Sequence, residues 1–163
     1  MSRFLRTTLI LAVLALAGNV LLAPLMAVGE IAPDFVLIAL VILALGEGAF
    51  AGTLGGFALG LVSDTAIPNL LGLNAFCKAL AGYLVGRSRS RLVIGLPLVE
   101  GSLVAATALG HDVLYLIGQS WLSEAAFFRP LFTVVVPSAL YTGLVSVPLI
   151  RMADFLRLLR REE

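Results

Sequence analysis

The chain has 163 residues, 60% of them hydrophobic and 13% charged, with a formal net charge of +1 and a mean hydropathy of +1.07. A soluble domain carries about a quarter charged residues, and this much apolar surface cannot fit inside one small core, so the composition specifies a polytopic membrane protein. The single cysteine, Cys77, excludes an intrachain disulfide, one His with one Cys makes no dedicated zinc site, and neither a GxxxxGK[ST] loop nor HExxH is present. No basic face outside the bilayer is large enough for nucleic acid.

A spanning helix needs about 20 apolar residues. On that ruler the sequence predicts an all-α bundle of six transmembrane helices within residues 1–150: Phe4 to Pro24, Asp34 to Leu45, Gly48 to Ser63, Leu73 to Gly86, Leu92 to Gly118 and Pro130 to Ile150. The first has the Arg3/Arg6 and Ala15-Leu16-Ala17 features of a signal peptide, but its apolar run continues to Met26, which reads as an uncleaved span. Spans two to four are short. They are sheltered by longer neighbours or thin the bilayer locally, and spans two and three could instead form a re-entrant hairpin around a tight turn at Glu47.

Two flanking stretches read as surface helices. In SWLSEAAFFRP, Trp121, Leu122, Ala125 and Phe128 share a helical face suited to the membrane interface. In the tail, 151–163, Met152, Phe155, Leu156 and Leu159 follow helical spacing with arginines opposite, which fits a cytoplasmic amphipathic segment on anionic membrane lipid.

Basic residues set the orientation. Arg3 and Arg6, then Arg87, Arg89 and Arg91, then Arg151, Arg157, Arg160 and Arg161 all fall on one side of six spans. That side is cytoplasmic, with both termini inside. Glu30, Asp34, Asp64 and Glu124 fall on or near the opposite side.

Gly48, Gly52, Gly56 and Gly60 recur every fourth residue in span three. In lipid, small residues let helices approach closely, so these glycines mark a contact groove, broadened by Ala51 and Gly55. It packs either an internal helix or a second protein. Asp64 closes the series, and DTAIPNLLGLNAF after it reads as a turn in which Asn74 caps span four. Lys78 lies inside span four among apolar neighbours. Intramembrane charges usually pair, and Asp64 and Asp34 are its candidates; together the three form a structural polar cluster. Glu100, His111 and Asp112 lie along span five, where His111 is a satisfied interhelical contact or, less simply, part of a proton relay. Ser120 and His111 are a conceivable catalytic pair, but no orienting third group accompanies them, and no cofactor or catalytic set is evident.

PDFVLIALVILALGEGAFAGTLGGFALGLVSD followed by LGLNAFCKALAGYLVG resembles the MreD family of bacterial rod shape-determining membrane proteins. The features are Pro33-Asp34, the glycines of span three, Gly60-Leu61 with Asp64, Gly72-Leu73, Ala75, Lys78, Gly82-Tyr83-Leu84 and Gly86. The resemblance implies a non-enzymatic scaffold or regulator of cell shape in the bacterial cytoplasmic (inner) membrane. It also implies a partner, MreC, and through it MreB, RodA and the transpeptidase of peptidoglycan elongation. A docking site for the MreC span would lie on the Gly52, Gly56, Gly60 face or its neighbours.

The resemblance further implies a fold like the substrate-binding subunits of energy-coupling-factor vitamin transporters. That likeness supplies a second hypothesis, with Asp64, Asn69, Asn74 and Lys78 lining an outward pocket. The first span lacks the AxxxA-type docking face usual in such subunits, since Ala12 is followed four residues later by Leu16.

Overall fold

A computed structural model describes residues 3–65, 70–91, 96–123 and 127–155. Among them every regular element is helical. There are six helices: α1 (residues 3–26), α2 (Phe35–Glu47), α3 (Ala49–Asp64), α4 (Leu73–Ser88), α5 (Pro97–Ser123) and α6 (Phe128–Phe155). α1 and α6 each contain a π-helical turn, Gly18–Leu22 and Leu131–Val135. The chain alternates in direction, since neighbouring helices meet with opposite register: Gly18 against Phe35, Gly52 against Gly82, Gly101 against Gly143.

α2 is the axis. Its residues from Phe35 to Gly46 are all buried, as expected of a helix apolar on every side. Leu11 of α1, Val85 of α4, Val104 of α5 and Ile150 of α6 close around its Ile38, Val41, Ile42 and Leu45. The short second helix is thus sheltered by neighbours. It is joined to α3 by the single residue Gly48, whose φ of 91° and ψ of −172° suit only glycine. Arg89 Nη1 donates to the Gly46 carbonyl, 3.4 Å away, at the free C-terminal end of α2. Gly48 closes this turn and also belongs to the packing series, since a Cβ on Gly86 of α4 would collide with its carbonyl carbon.

Among the described residues three segments are long and apolar enough to cross a membrane: Thr8–Met26, Pro97–Leu122 and Phe128–Phe155. α2, α3 and α4 have 13, 16 and 16 residues, about 20 to 24 Å of helix. Two expectations from the sequence need correction. Trp121 and Leu122 do not begin a separate surface helix but continue α5 to Ser123, and Phe128 opens α6 two residues before Pro130. Proline is compatible with a first helical turn, where its missing N–H has no partner to lose. Met152 and Phe155 extend α6 without a break. The remaining tail, 156–163, lies outside the described residues, as do Asn69, Glu124 and Ala125.

Candidate functional site

The glycines of α3 meet α4 of the same chain. A Cβ added at Gly52 would collide with the Gly82 carbonyl, at Gly56 with the Lys78 carbonyl, and at Gly60 with the backbone of Asn74 and Ala75. Gly82 and Gly86 return the contact toward Gly52 and Ala49. Gly55 faces the other way, onto the Leu43 side chain of α2. The small residues thus let two backbones touch. Of the two occupants the sequence leaves open, the groove holds the internal one: α4 fills the Gly52, Gly56, Gly60 face, so a partner's span would have to dock elsewhere.

Asp64 and Lys78 flank this seam at the end of the bundle remote from Arg87, Arg89 and Arg151. Asp64 is 1% exposed. Its carboxylate accepts the N–H groups of Gly72 (2.9 Å), Asn74 (3.0 Å) and Ala75 (3.0 Å). These are orphan donors at the start of α4, so Asp64 caps the helix that follows it, where negative charge also suits the dipole. Asn74 was expected to be the cap. Its side chain instead accepts from Lys78 Nζ at 2.9 Å.

Lys78 is 3% exposed. Its ammonium lies 3.8 Å from Asp34 Oδ2 and 3.4 Å from His111 Nε2. Asp34 also caps α2 through the Leu37 N–H (2.9 Å), and its own N–H donates to Thr142 Oγ1 of α6 at 3.1 Å. An ammonium can only donate. His111 Nε2 must therefore accept, which leaves the hydrogen on Nδ1, 2.8 Å from Asp112 Oδ1. The ring stacks on Tyr115 with centroids 6.4 Å apart. The polar network thus ties together α2, α4, α5 and α6. Of the two acids expected for Lys78, it pairs with Asp34, while Asp64 serves backbone N–H groups one turn away.

The sequence did not show that His111 would join Lys78. The signal was its position in an otherwise apolar stretch of α5, but nothing in the spacing fixes the α4–α5 register. Beside this contact runs a crevice of about 250 Å³ lined by Cys77, Ala81, Ala106, Gly110 and His111. At the opposite end of the bundle, Glu100 meets Arg151 at 3.4 Å. Among the described residues no three His, Cys, Asp or Glu side chains are grouped to hold a metal ion.

The model of the family described as rod shape-determining protein MreD matches residues 2–158. The chain belongs to the MreD family. Its role is therefore in rod shape determination, and it is a membrane protein. No curated protein and no solved structure matches the chain.

Proposed function

We propose that this chain is a non-enzymatic scaffold of the peptidoglycan elongation machinery. It would cross the bacterial cytoplasmic membrane six times with both termini inside, and bind MreC, through which it connects to MreB, RodA and a transpeptidase. The supporting observation, beside family membership, is how the polar groups are used. Asp34, Asp64, Asn74, Lys78, His111 and Thr142 bond to one another or to backbone, which suits a rigid frame. α1, α5 and α6 meanwhile turn large apolar side chains outward, among them Leu14, Val20, Trp121, Phe132 and Leu144. With the glycine face filled by α4, a partner's span would dock on outward apolar faces such as these rather than on the glycines.

Gentle purification from native membranes, followed by mass spectrometry, tests the reading. Recovery of an MreC-like protein is the expected result. The alternative, a vitamin-binding subunit of an energy-coupling-factor transporter, predicts an ATPase pair and a membrane coupling subunit instead. Of its suggested pocket liners, Asp64, Asn74 and Lys78 are already engaged internally, and Asn69 lies outside the described residues.

A further inference from the structure

The polar network supplies a common level across the bundle, because Asp34, Lys78, His111 and Thr142 touch in one layer. From that layer, away from the arginine-bearing end, the helices run very different distances. α4 continues only from Lys78 to Leu73, about 8 Å at the helical rise. α2 stops at the layer itself, with Asp34 as its cap. α5 continues from His111 to Ser123, about 18 Å, and α6 from Thr142 back to Phe128, about 21 Å. α3 continues from Gly56, level with Lys78, to Asp64, about 12 Å, so at this end the α3–α4 flank stops roughly 6 to 13 Å short of the far ends of α5 and α6.

Both sides of the step present apolar side chains outward. On the short side these are Phe50, Leu54, Phe57 and Leu61 of α3 with Phe76 and Tyr83 of α4. On the tall side they are Trp121 and Leu122 of α5 with Phe132 and Leu140 of α6. Polar groups fix the height of the short side, namely Arg87 at one end and Asp64 with Asn74 at the other. From Asn74 to Arg87 that height is about 20 Å, against about 30 Å of bilayer hydrocarbon. α2 escapes this mismatch by burial, but the exposed flanks of α3 and α4 do not. Tilting the whole protein to serve the short side would push Trp121, Leu122 and Phe132, at the far ends of α5 and α6, toward water.

We infer that the α3–α4 flank holds the bilayer locally thin and gathers phospholipids of short acyl length, while the α5–α6 flank sits in hydrocarbon of ordinary thickness. The free-energy gradient is a fraction of a kcal/mol per Å of mismatch, enough to sort lipids by chain length at the protein surface.

Site-resolved quenching by brominated phosphatidylcholines of graded chain length, with the full chain in vesicles, tests this. Trp121 is the sole tryptophan and reports the tall side without any substitution. Phe57→Trp in a Trp121→Phe background reports the short side, at a position that is exposed and tolerates a larger ring. The 14-carbon lipid should associate roughly threefold more strongly than the 22-carbon lipid at position 57, with no such preference at Trp121. The same chain-length dependence at both positions would overturn the inference. So would absence of quenching at position 57, which would mean that protein rather than lipid covers the flank. Tyr83→Trp in the same background repeats the short-side reading on α4, so a folding defect at one position does not decide the outcome.

Discussion

Lys78 holds its ammonium 3.4 Å from Nε2 of His111, although the two stand on different helices 33 positions apart. The contact fixes the tautomer of His111, orients its ring toward Asp112, and completes a network whose opposite end is the cap of the central helix. A buried charge is costly unless paired and hydrogen-bonded. Here the same groups that satisfy Lys78 also position α2 against α4, α5 and α6.

Removing the two partners of Lys78 should therefore have unequal effects. His111→Leu deletes one acceptor and leaves Asp34 and Asn74, a loss of about 1 kcal/mol. Asp34→Ala deletes the counter-charge and the α2 cap together, a loss of about 3 kcal/mol. Thermal unfolding in detergent should rank Asp34→Ala well below His111→Leu. Equal losses would show that Asn74 and His111, not Asp34, hold the ammonium.

Lys78→Met should fold. Methionine keeps the volume of the side chain and removes the buried charge, and Asp34, whose side chain is 31% exposed, retains access to solvent and its capping bond. In cells that depend on this gene, Lys78→Met is expected to accumulate normally and keep rods. Rounded cells with a normal protein level would show that the network does more than hold helices in place.

Asp64 carries three backbone N–H groups and has no second role in the described structure. Asp64→Ala leaves three donors without their partner, the Ala75 N–H buried and those of Gly72 and Asn74 partly so, and a loss of about 3 kcal/mol is expected. Asp64→Asn keeps one carbonyl oxygen but turns an NH₂ toward N–H donors, so it should fall between Ala and the wild type. Unfolding by titration with a denaturing detergent reads the order. An Asn variant as stable as wild type would show that charge at the α4 start contributes nothing.

Much of this was legible in the sequence because it depends on local pattern. The all-apolar run from Phe35 to Leu45 reads as a helix too short for an ordinary span, for which shelter by longer neighbours is one of the readings, and four glycines at one spacing mark close backbone approach. Gly48 continues the series by spacing and packs against Gly86, but that its backbone also closes the α2–α3 turn is set by its φ, which spacing does not show. Asn74 was taken for a cap by residue type, but the carboxylate that reaches those N–H groups comes from Asp64, eight to eleven positions earlier. The Lys78–His111 contact depends on the register of α4 against α5, which no local signal encodes. The same holds for the step between short and long helices, since a run of apolar residues gives a helix's length but not the level at which it sits.

The glycines themselves offer the sharpest contrast. At Gly56 an added methyl would enter the carbonyl of Lys78, so Gly56→Ala must force α3 and α4 apart or bend one of them. Backbone cannot rotate away as a side chain can, and overpacking of this kind costs about 1 to 3 kcal/mol. At Gly110, also mid-helix, a Cβ would meet nothing within 4 Å. Gly110→Ala therefore adds no clash and gains helix propensity, about 0.5 to 1 kcal/mol. The two alanine variants should shift the unfolding midpoint in opposite directions, with Gly56→Ala lowering it and Gly110→Ala raising it. If Gly56→Ala were neutral, the close α3–α4 seam would not exist in the membrane, and the glycine face would again be open to a partner's helix.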